Sequence, residues 1–218
     1  MSGLRLVEVR VVVRQLVLLR RVTLEVPRGT VVALVGRNGA GKTTTMRAIM
    51  GLVPIAAGAV ALNGTDLRAR PAHHRATLGV GYMPEDRRLI PQLTVEENLL
   101  VPVWANRLPD GRERLQRVYD VLPGVRAFAP RRAGQLSGGQ QKLVALARAL
   151  MVGDEVLLLD EPFEGLAPAL VEQIAGVLQR LAGSQTAVLV AESELLHVGR
   201  LAARTYTIER GEIVGVQG

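Results

Sequence analysis

The sequence contains no cysteine and has few aromatic residues and few histidines. Without cysteine the chain can form no disulfide framework, no thiolate metal site and no cysteine nucleophile. Its three histidines, of which His73 and His74 are adjacent, are too few for a histidine-rich metal cage. Disulfide-stapled proteins and thiolate metal sites are therefore excluded, and a histidine-rich metal cage is not expected.

Long apolar runs are also missing. No uninterrupted apolar stretch reaches the roughly 18–20 residues that a membrane-spanning helix needs. The apolar stretch at residues 4–21 is broken by Arg5, Glu8, Arg10 and Arg14, which argues against both a signal peptide and a span. We therefore expect a cytoplasmic protein that reaches a membrane only through a partner.

Lysine is scarce, although the net charge is +7. Arginine supplies almost all of the positive charge and is spread along the chain, which favours a genomic composition bias over a nucleic-acid groove. The two lysines, Lys42 and Lys142, lie in a glycine-rich loop and just after a second one. A nucleic-acid partner is not expected.

The remaining composition indicates one folded domain with an insert. The 218 residues are 48% hydrophobic and 22% charged, which suits a packed core rather than disorder. Short β-branched runs alternate with helical patterns, which predicts a parallel α/β core with helices on both faces. Residues 1–84 and 151–218 form this core in the prediction, with antiparallel strands near the N-terminus, and about 85–150 form an inserted, mostly helical subdomain.

A strand, a glycine-rich loop and a helix follow one another at residues 30–51. The segment Gly36–Thr43 fits the pattern G-x-x-x-x-G-K-[ST] without a mismatch, in which backbone N–H groups and a helix N-terminus surround phosphate oxygens. Lys42 is expected at the β- and γ-phosphates and the Thr43 hydroxyl at Mg²⁺. The predicted nucleotide-binding residues of this loop are Gly36, Arg37, Asn38, Gly39, Ala40, Gly41, Lys42, Thr43 and Thr44.

A second strand delivers two acids. The apolar run at residues 156–159 ends in Asp160 and Glu161, at the edge of the sheet where such folds bind ligands. Asp160 is expected in the Mg²⁺ shell, and Glu161 is expected to orient and polarise the attacking water. A strand that ends in two acids is by itself a weak signal, but beside a phosphate loop it becomes strong.

A third motif opens another helix. Residues 136–140 read Leu-Ser-Gly-Gly-Gln, and Ser137, Gly138, Gly139 and Gln140 offer a hydroxyl, backbone N–H groups and a helix dipole to an anion. An ordinary N-cap at Ser137 explains the same residues equally simply. Because one phosphate loop is already complete, a second anion site suggests a nucleotide held between two subunits.

Together the three motifs resemble, in sequence and in order, the ATP-binding subunits of ABC transporters. The resemblance covers essentially the whole chain and implies an ABC ATPase fold, ATP and Mg²⁺ as ligands, and a head-to-tail dimer with a second ABC ATPase subunit, identical or different. Two ATP molecules would lie between the phosphate loop of one subunit and Ser137 and Gly139 of the other. The helical insert would dock on transmembrane permease subunits at the cytoplasmic face of the membrane, and a solute-binding protein would be an indirect partner.

The sequences of three stretches narrow the resemblance to one subgroup of these ATP-binding subunits. The stretches at 71–82, 81–99 and 164–168 look like the smaller ATPase subunit of branched-chain amino acid importers and their urea and amide relatives. Glu85 stands where the general family has a glutamine, and it is expected near Mg²⁺ and the attacking water. Ser193 stands at the position of the γ-phosphate-sensing histidine, where a hydroxyl can donate one hydrogen bond but carries no charge.

Two departures leave alternatives open. Ser193, and the lack of an adenine-stacking aromatic residue near Arg14, would also suit a degenerate nucleotide-binding partner with little ATPase activity of its own. The positive net charge would suit a soluble ABC ATPase that acts on nucleic acid, but such chains usually carry two ATPase domains. We expect an ATPase that couples dimer closure to uptake of a small polar solute.

Overall fold

The computed structural model describes residues 3–218; residues 1 and 2 of the predicted core lie outside this range. Within the described residues, ten strands form one sheet in the order β5-β4-β1-β2-β10-β9-β3-β8-β7-β6. The strands are β1 (Gly3–Val13), β2 (Leu16–Pro27), β3 (Val31–Val35), β4 (Ile55–Leu62), β5 (Thr65–Asp66), β6 (Val80–Met83), β7 (Val156–Asp160), β8 (Ala187–Glu192), β9 (Arg204–Glu209) and β10 (Glu212–Gln217).

Residues 3–218 also form six α-helices, and residues 67–78 between β5 and β6 form short 3₁₀ turns. No helix described in residues 3–218 combines the length and the apolar character that crossing a bilayer requires. The helices are α1 (Lys42–Ile49), α2 (Val95–Ala105), α3 (Gly111–Val121), α4 (Pro123–Arg126), α5 (Gly138–Leu150) and α6 (Pro168–Ala182).

The sheet has two halves of different character. Strands β9, β3, β8, β7 and β6 pair in parallel, whereas β1, β2, β4 and β5 pair antiparallel. Strand β10 joins the halves, because it pairs antiparallel with β9 and parallel with β2 through Glu212 and Arg21. This confirms the predicted α/β class, with a mostly parallel core and an N-terminal antiparallel part.

Burial explains why the parallel strands read as continuous apolar runs. All five residues of β7 and all six of β8 are buried, as expected when helices cover both faces of a sheet. On one face Leu159 and Val190 pack with residues of α2, α5 and α6. On the other face Leu158 and Leu189 pack with α1 and the antiparallel strands. The carboxyl ends of β3, β7 and β8 therefore meet at one edge with little freedom to move.

Candidate functional site

The predicted phosphate loop lies between β3 and α1, and its glycines are required by its shape. Gly39 and Gly41 have φ values of 80° and 118°, which L-residues with a side chain rarely adopt. A Cβ on Gly36 would lie 2.2 Å from the Ile208 carbonyl oxygen. Gly41 caps α1 without any side-chain hydrogen bond, so the amides at this helix start are not used by a capping side chain.

Lys42 points back into this loop and is buried. Its Nζ donates to the carbonyl oxygen of Gly36 at 2.6 Å and to Ser193 Oγ at 3.1 Å. It also forms an ion pair with Glu161 Oε1 at 3.0 Å, with both side chains at most 7% exposed. Lys42, the predicted phosphate ligand, thus contacts Glu161, the residue predicted to orient the attacking water.

Asp160 ends β7 and is fully buried beside the start of α1. Thr43 Oγ1 donates a hydrogen bond to Asp160 Oδ1 at 3.2 Å, and Tyr82 lies 3.5 Å from Oδ2. Burial, with smaller contributions from the charges of Glu85 and Glu161, raises the pKa of Asp160 to about 6. The carboxylate is therefore costly to keep ionised here without a cation.

Glu161 follows at a left-handed backbone position, with φ of 50°. It accepts hydrogen bonds from the Ser193 backbone N–H at 3.2 Å and from Ser193 Oγ at 2.8 Å. Burial raises its pKa, but hydrogen bonds with Glu192, Lys42 and Ser193 outweigh burial and leave the pKa of Glu161 below its ordinary value. Glu161 is therefore ionised at neutral pH and ready to accept a proton.

The three predicted metal ligands border one cavity. Thr43, Glu85 and Asp160 line a space of about 470 Å³ that also contacts Tyr82. A hydroxyl and two carboxylates are oxygen donors of the kind that Mg²⁺ binds, and this ion usually completes its shell with water and substrate phosphates. The residues therefore fit Mg²⁺, and residues 3–218 contain no cluster of three acids or histidines that would hold a metal without such help.

The third predicted motif, Ser137–Gln140, lies away from the phosphate loop. Ser137 caps α5, its Oγ accepts from the Gln140 N–H, and the Gln140 side chain accepts from the Ser137 N–H. Among the described residues, none of these four lines the cavities beside the phosphate loop. The structure thus brings together Lys42, Thr43, Glu85, Asp160, Glu161 and Ser193, and it places the Ser137–Gln140 motif apart from them.

Three residues of the neighbourhood are missing from the sequence prediction. Glu192, the last residue of β8, is 7% exposed and accepts a hydrogen bond from the Phe163 N–H at 2.9 Å. Lys142 is buried and donates to the Glu164 carbonyl oxygen at 2.5 Å. Arg87 donates to Gln141 Oε1 at 3.0 Å. An acid that ends an apolar strand was the available signal for Glu192.

The loop between β1 and β2 is a tight turn. Arg14 and Gln15 form it with φ values of 47° and 71°, and Leu16 beyond it is 65% exposed. The sequence has no aromatic residue at this tip. Arg14 is exposed here, and its predicted alternative roles, stacking on a base or remaining solvated, stay predictions.

Sequence comparison relates the chain to transport ATPases. The family model described as ABC transporter matches residues 19–164. The chain is 35% identical over 196 residues to the high-affinity branched-chain amino acid transport ATP-binding protein BraG of Pseudomonas aeruginosa, covering 90% of this chain and 84% of BraG. It is 32% identical over 211 residues to a probable branched-chain amino acid transport ATP-binding protein, LivF of Archaeoglobus fulgidus, covering 96% and 89%.

A relative with a different transport role is nearly as similar. The lipopolysaccharide export system ATP-binding protein LptB of Escherichia coli is 31% identical over 195 residues, covering 88% of this chain and 81% of LptB. Among solved structures, a dimer of MJ0796, a bacterial ABC transporter cassette, superposes with a TM-score of 0.87 at 26% identity, covering 98% of this chain and 97% of that chain. The same cassette is also known as a dimer bound to ADP and Pi.

Proposed function

The chain belongs to the ABC transporter family of ATP-hydrolysing subunits, and from that premise we propose that it powers an importer of a small polar solute, in particular branched-chain amino acids. The observation that carries its catalytic part is the buried contact of Lys42, Glu161 and Ser193 next to the Thr43–Asp160 pair. The names of BraG and LivF support the solute class.

The proposed division of labour follows from the contacts. Gly36–Thr44 surrounds the phosphates with backbone N–H groups, and Lys42 neutralises their charge. Ionised Glu161 accepts a proton from the attacking water, and Ser193 orients Glu161 through two hydrogen bonds. Bound Mg²⁺, held by Thr43, Asp160 and Glu85, would supply charge neutralisation at the phosphates.

Lys42 links binding to chemistry in this proposal. Its ammonium is paired with Glu161, and a nucleotide phosphate that competes for the ammonium would leave Glu161 with its Ser193 hydrogen bonds but without its cation. A carboxylate that loses a cation becomes a stronger base. ATP binding would thereby activate the residue that deprotonates water.

We also propose the quaternary arrangement. Ser137, Gly138, Gly139 and Gln140 would act on the nucleotide of a second ABC ATPase subunit, identical or different, in a head-to-tail dimer. The dimeric MJ0796 cassette supports this arrangement. Residues 85–150, the proposed helical subdomain, would contact transmembrane permease subunits, and the complex would lie at the cytoplasmic face of the membrane with a solute-binding protein as an indirect partner.

Hydrolysis by the purified chain tests the catalytic part. The Glu161→Gln variant should lose at least about 100-fold in turnover and still bind MgATP, because the amide cannot accept a proton from water. Glu172→Gln, an exposed glutamate on α6, is the matched control and should keep its turnover. Hydrolysis retained in E161Q would remove Glu161 from the base role. A wild type that hydrolyses only in complex with a second ATPase would favour the partner-subunit alternative.

Transport by the reconstituted complex tests the solute. Proteoliposomes that contain the permeases and the wild-type chain should accumulate leucine, isoleucine or valine when ATP is present, and those with E161Q should not. The similarity to LptB favours one second candidate, export of a lipid. ATP-dependent extraction of lipopolysaccharide without amino acid uptake would select that candidate.

A further inference from the structure

Residues 84–88, the Glu85 loop, follow β6 directly and reach the cavity beside the phosphate loop. Glu85 lines this cavity together with Thr43 and Asp160, yet Glu85 itself is exposed. An exposed side chain keeps much of its rotamer freedom, because few neighbours restrict it. The place of Glu85 at the cavity therefore depends on the path of the loop backbone.

The backbone of the Glu85 loop is strained. Arg87 and Arg88 follow one another in the left-handed region, with φ values of 61° and 47°, which costs energy in any residue that carries a Cβ. Within the loop the Arg87 N–H donates to the Pro84 carbonyl oxygen at 3.0 Å. A costly conformation persists only where the surrounding structure holds it, so the question is what holds these two residues.

Arg148, near the end of α5, contacts both strained residues. Its Nη1 donates to the carbonyl oxygen of Arg88 at 2.7 Å, and its Nη2 donates to the carbonyl oxygen of Arg87 at 2.6 Å. The planar guanidinium carries its donors at fixed spacing and direction. It therefore fixes the two successive carbonyl groups relative to each other, which a single hydrogen bond could not do.

The clamping residue is itself well supported. Arg148 lies between Ala147 and Ala149, which are both buried. Strand β6 packs so closely on this end of α5 that a Cβ on Gly81 would lie 2.3 Å from the Ala149 carbonyl oxygen. The Glu85 loop begins where β6 ends, so the start of the loop and its clamp share one rigid support.

The other end of the same helix also contacts the Glu85 loop. Arg87 Nη1 donates to Gln141 Oε1 at 3.0 Å and to the Gly138 carbonyl oxygen at 3.3 Å, both in the first turn of α5. The Arg88 side chain, in contrast, pairs with Asp86 at the surface. The loop is thus bound to α5 at two places, through the side chain of Arg87 and through the two carbonyl groups that Arg148 contacts.

We propose that Arg148 is a positioning residue for Glu85. Its two hydrogen bonds hold the Glu85 loop in the left-handed conformation that keeps Glu85 at the cavity of Thr43 and Asp160. The inference rests on the proposed role of Glu85 as a ligand of Mg²⁺. Without Arg148 the loop relaxes towards backbone conformations of lower energy, and Glu85 spends part of its time away from the cavity.

Hydrogen–deuterium exchange of the nucleotide-free protein tests the clamp without relying on activity. Arg148→Met keeps the length of the side chain but has no donor, so the amides of residues 85–89 should exchange at least about tenfold faster than in the wild type, while those of β7 should not change. The matched control is Arg114→Met, since Arg114 donates to the Met151 carbonyl oxygen at the end of α5 at 3.0 Å. R114M should leave exchange in residues 85–89 unchanged. Wild-type exchange there in a folded R148M would overturn the proposal.

Steady-state hydrolysis tests whether Arg148 acts through Glu85. R148M should lose about tenfold in kcat while its KM for MgATP stays within about threefold, and R114M should keep its kcat. Arg148→Lys, whose ammonium still has donors for the loop carbonyls, should lose less than about threefold. In a Glu85→Ala background R148M should change kcat by less than about twofold, because no side chain is left to position. A further tenfold loss in that background would contradict the proposal.

The arms separate the possible failures. If R148M does not fold, as judged by thermal melting, Arg148→Gln replaces it in both tests with the same expectations, because its shorter amide cannot span both carbonyl oxygens. If E85A hydrolyses ATP like the wild type while exchange in residues 85–89 rises in R148M, the clamp stands and the proposed role of Glu85 falls.

Discussion

Two helices of this chain begin at glycine-rich loops, and they use their N-termini in opposite ways. At α1, Gly41 offers no capping side chain, and Lys42, Asp160 and Glu161 of the same chain lie close by. At α5, Ser137 and Gln140 cap each other. A self-capped, exposed loop is stable without further partners. At the phosphate loop, charged side chains of the same chain lie together. The backbone N–H groups at the start of α1 have no capping side chain, so they are available to bind an anion.

The largest expected effect is a difference in MgATP affinity between variants of the two lysines that follow these loops. Lys42→Met should weaken MgATP binding at least about 100-fold, because it removes the phosphate cation and leaves Glu161 unpaired. Lys142→Met, at an equally buried position, is the matched control and should change nucleotide affinity by less than about threefold. Calorimetric titration measures both. Equal losses in the two variants would show that burial, and not the loop, determines the effect.

Mixing two inactive variants tests whether the loops act in different subunits. Ser137→Ala and Glu161→Gln should each hydrolyse ATP poorly, but a head-to-tail dimer of one chain of each contains one intact site. Random association should then restore roughly a quarter of wild-type turnover. Because S137A also loses its cap, thermal melting should show about 1 kcal/mol of destabilisation. A mixture no more active than its components would place Ser137 in the site of its own chain.

The glycines of the two loops should differ in their tolerance of a methyl group. In Gly36→Ala the new Cβ meets the backbone oxygen of Ile208 at 2.2 Å, whereas in Gly139→Ala it meets the flexible end of Leu170 at 2.4 Å. We expect urea denaturation to give a loss of about 2 to 3 kcal/mol for G36A and less than about 1 kcal/mol for G139A. The reverse order would mean that the phosphate loop relaxes more easily than its packing indicates.

The smallest expected effect is the pH dependence of the free energy of unfolding that buried Asp160 causes beside the phosphate loop. Since burial raises the pKa of Asp160 to about 6 from 3.8, its ionised form disfavours folding, and this cost is complete above pH 6. The cost shrinks as pH falls from 6 towards 4, where both states become protonated. In EDTA, Asp160→Asn should therefore raise the free energy of unfolding by about 1 to 2 kcal/mol at neutral pH.

That gain should disappear as pH falls through this window, since asparagine resembles the neutral acid. The Ser137→Ala loss serves as the control, because a hydroxyl cap does not titrate and its effect should not follow the same pH course. A D160N variant less stable than the wild type at neutral pH would contradict the expectation.

Much of the fold follows from local sequence patterns. The β-branched run at β3 and the apolar run at β7 are each short, continuous and flanked by turn residues, which predicts buried parallel strands. The phosphate loop is readable because its glycines are needed for its backbone shape. Helix α5 follows from the capping pattern of Ser137 and Gln140.

Long-range contacts could not be predicted in this way. The pairing of Lys42 with Glu161 depends on how the ends of β3 and β7 meet. The place of Glu192 next to Glu161 at the ends of neighbouring strands could not be predicted either, because the two residues are 31 positions apart in the chain. The place of β10 between β2 and β9 is likewise set by packing that no local pattern encodes.

That place of β10 has a consequence for how the protein is made. Strand β2 is synthesised long before Glu212, the residue that pairs with its Arg21. The early hairpin of β1 and β2 can pair with β4 on the ribosome, but the edge of β2 stays open until β10 has emerged. An open strand edge invites pairing with other chains. Nascent chains should therefore depend on chaperones until this single strand closes the sheet.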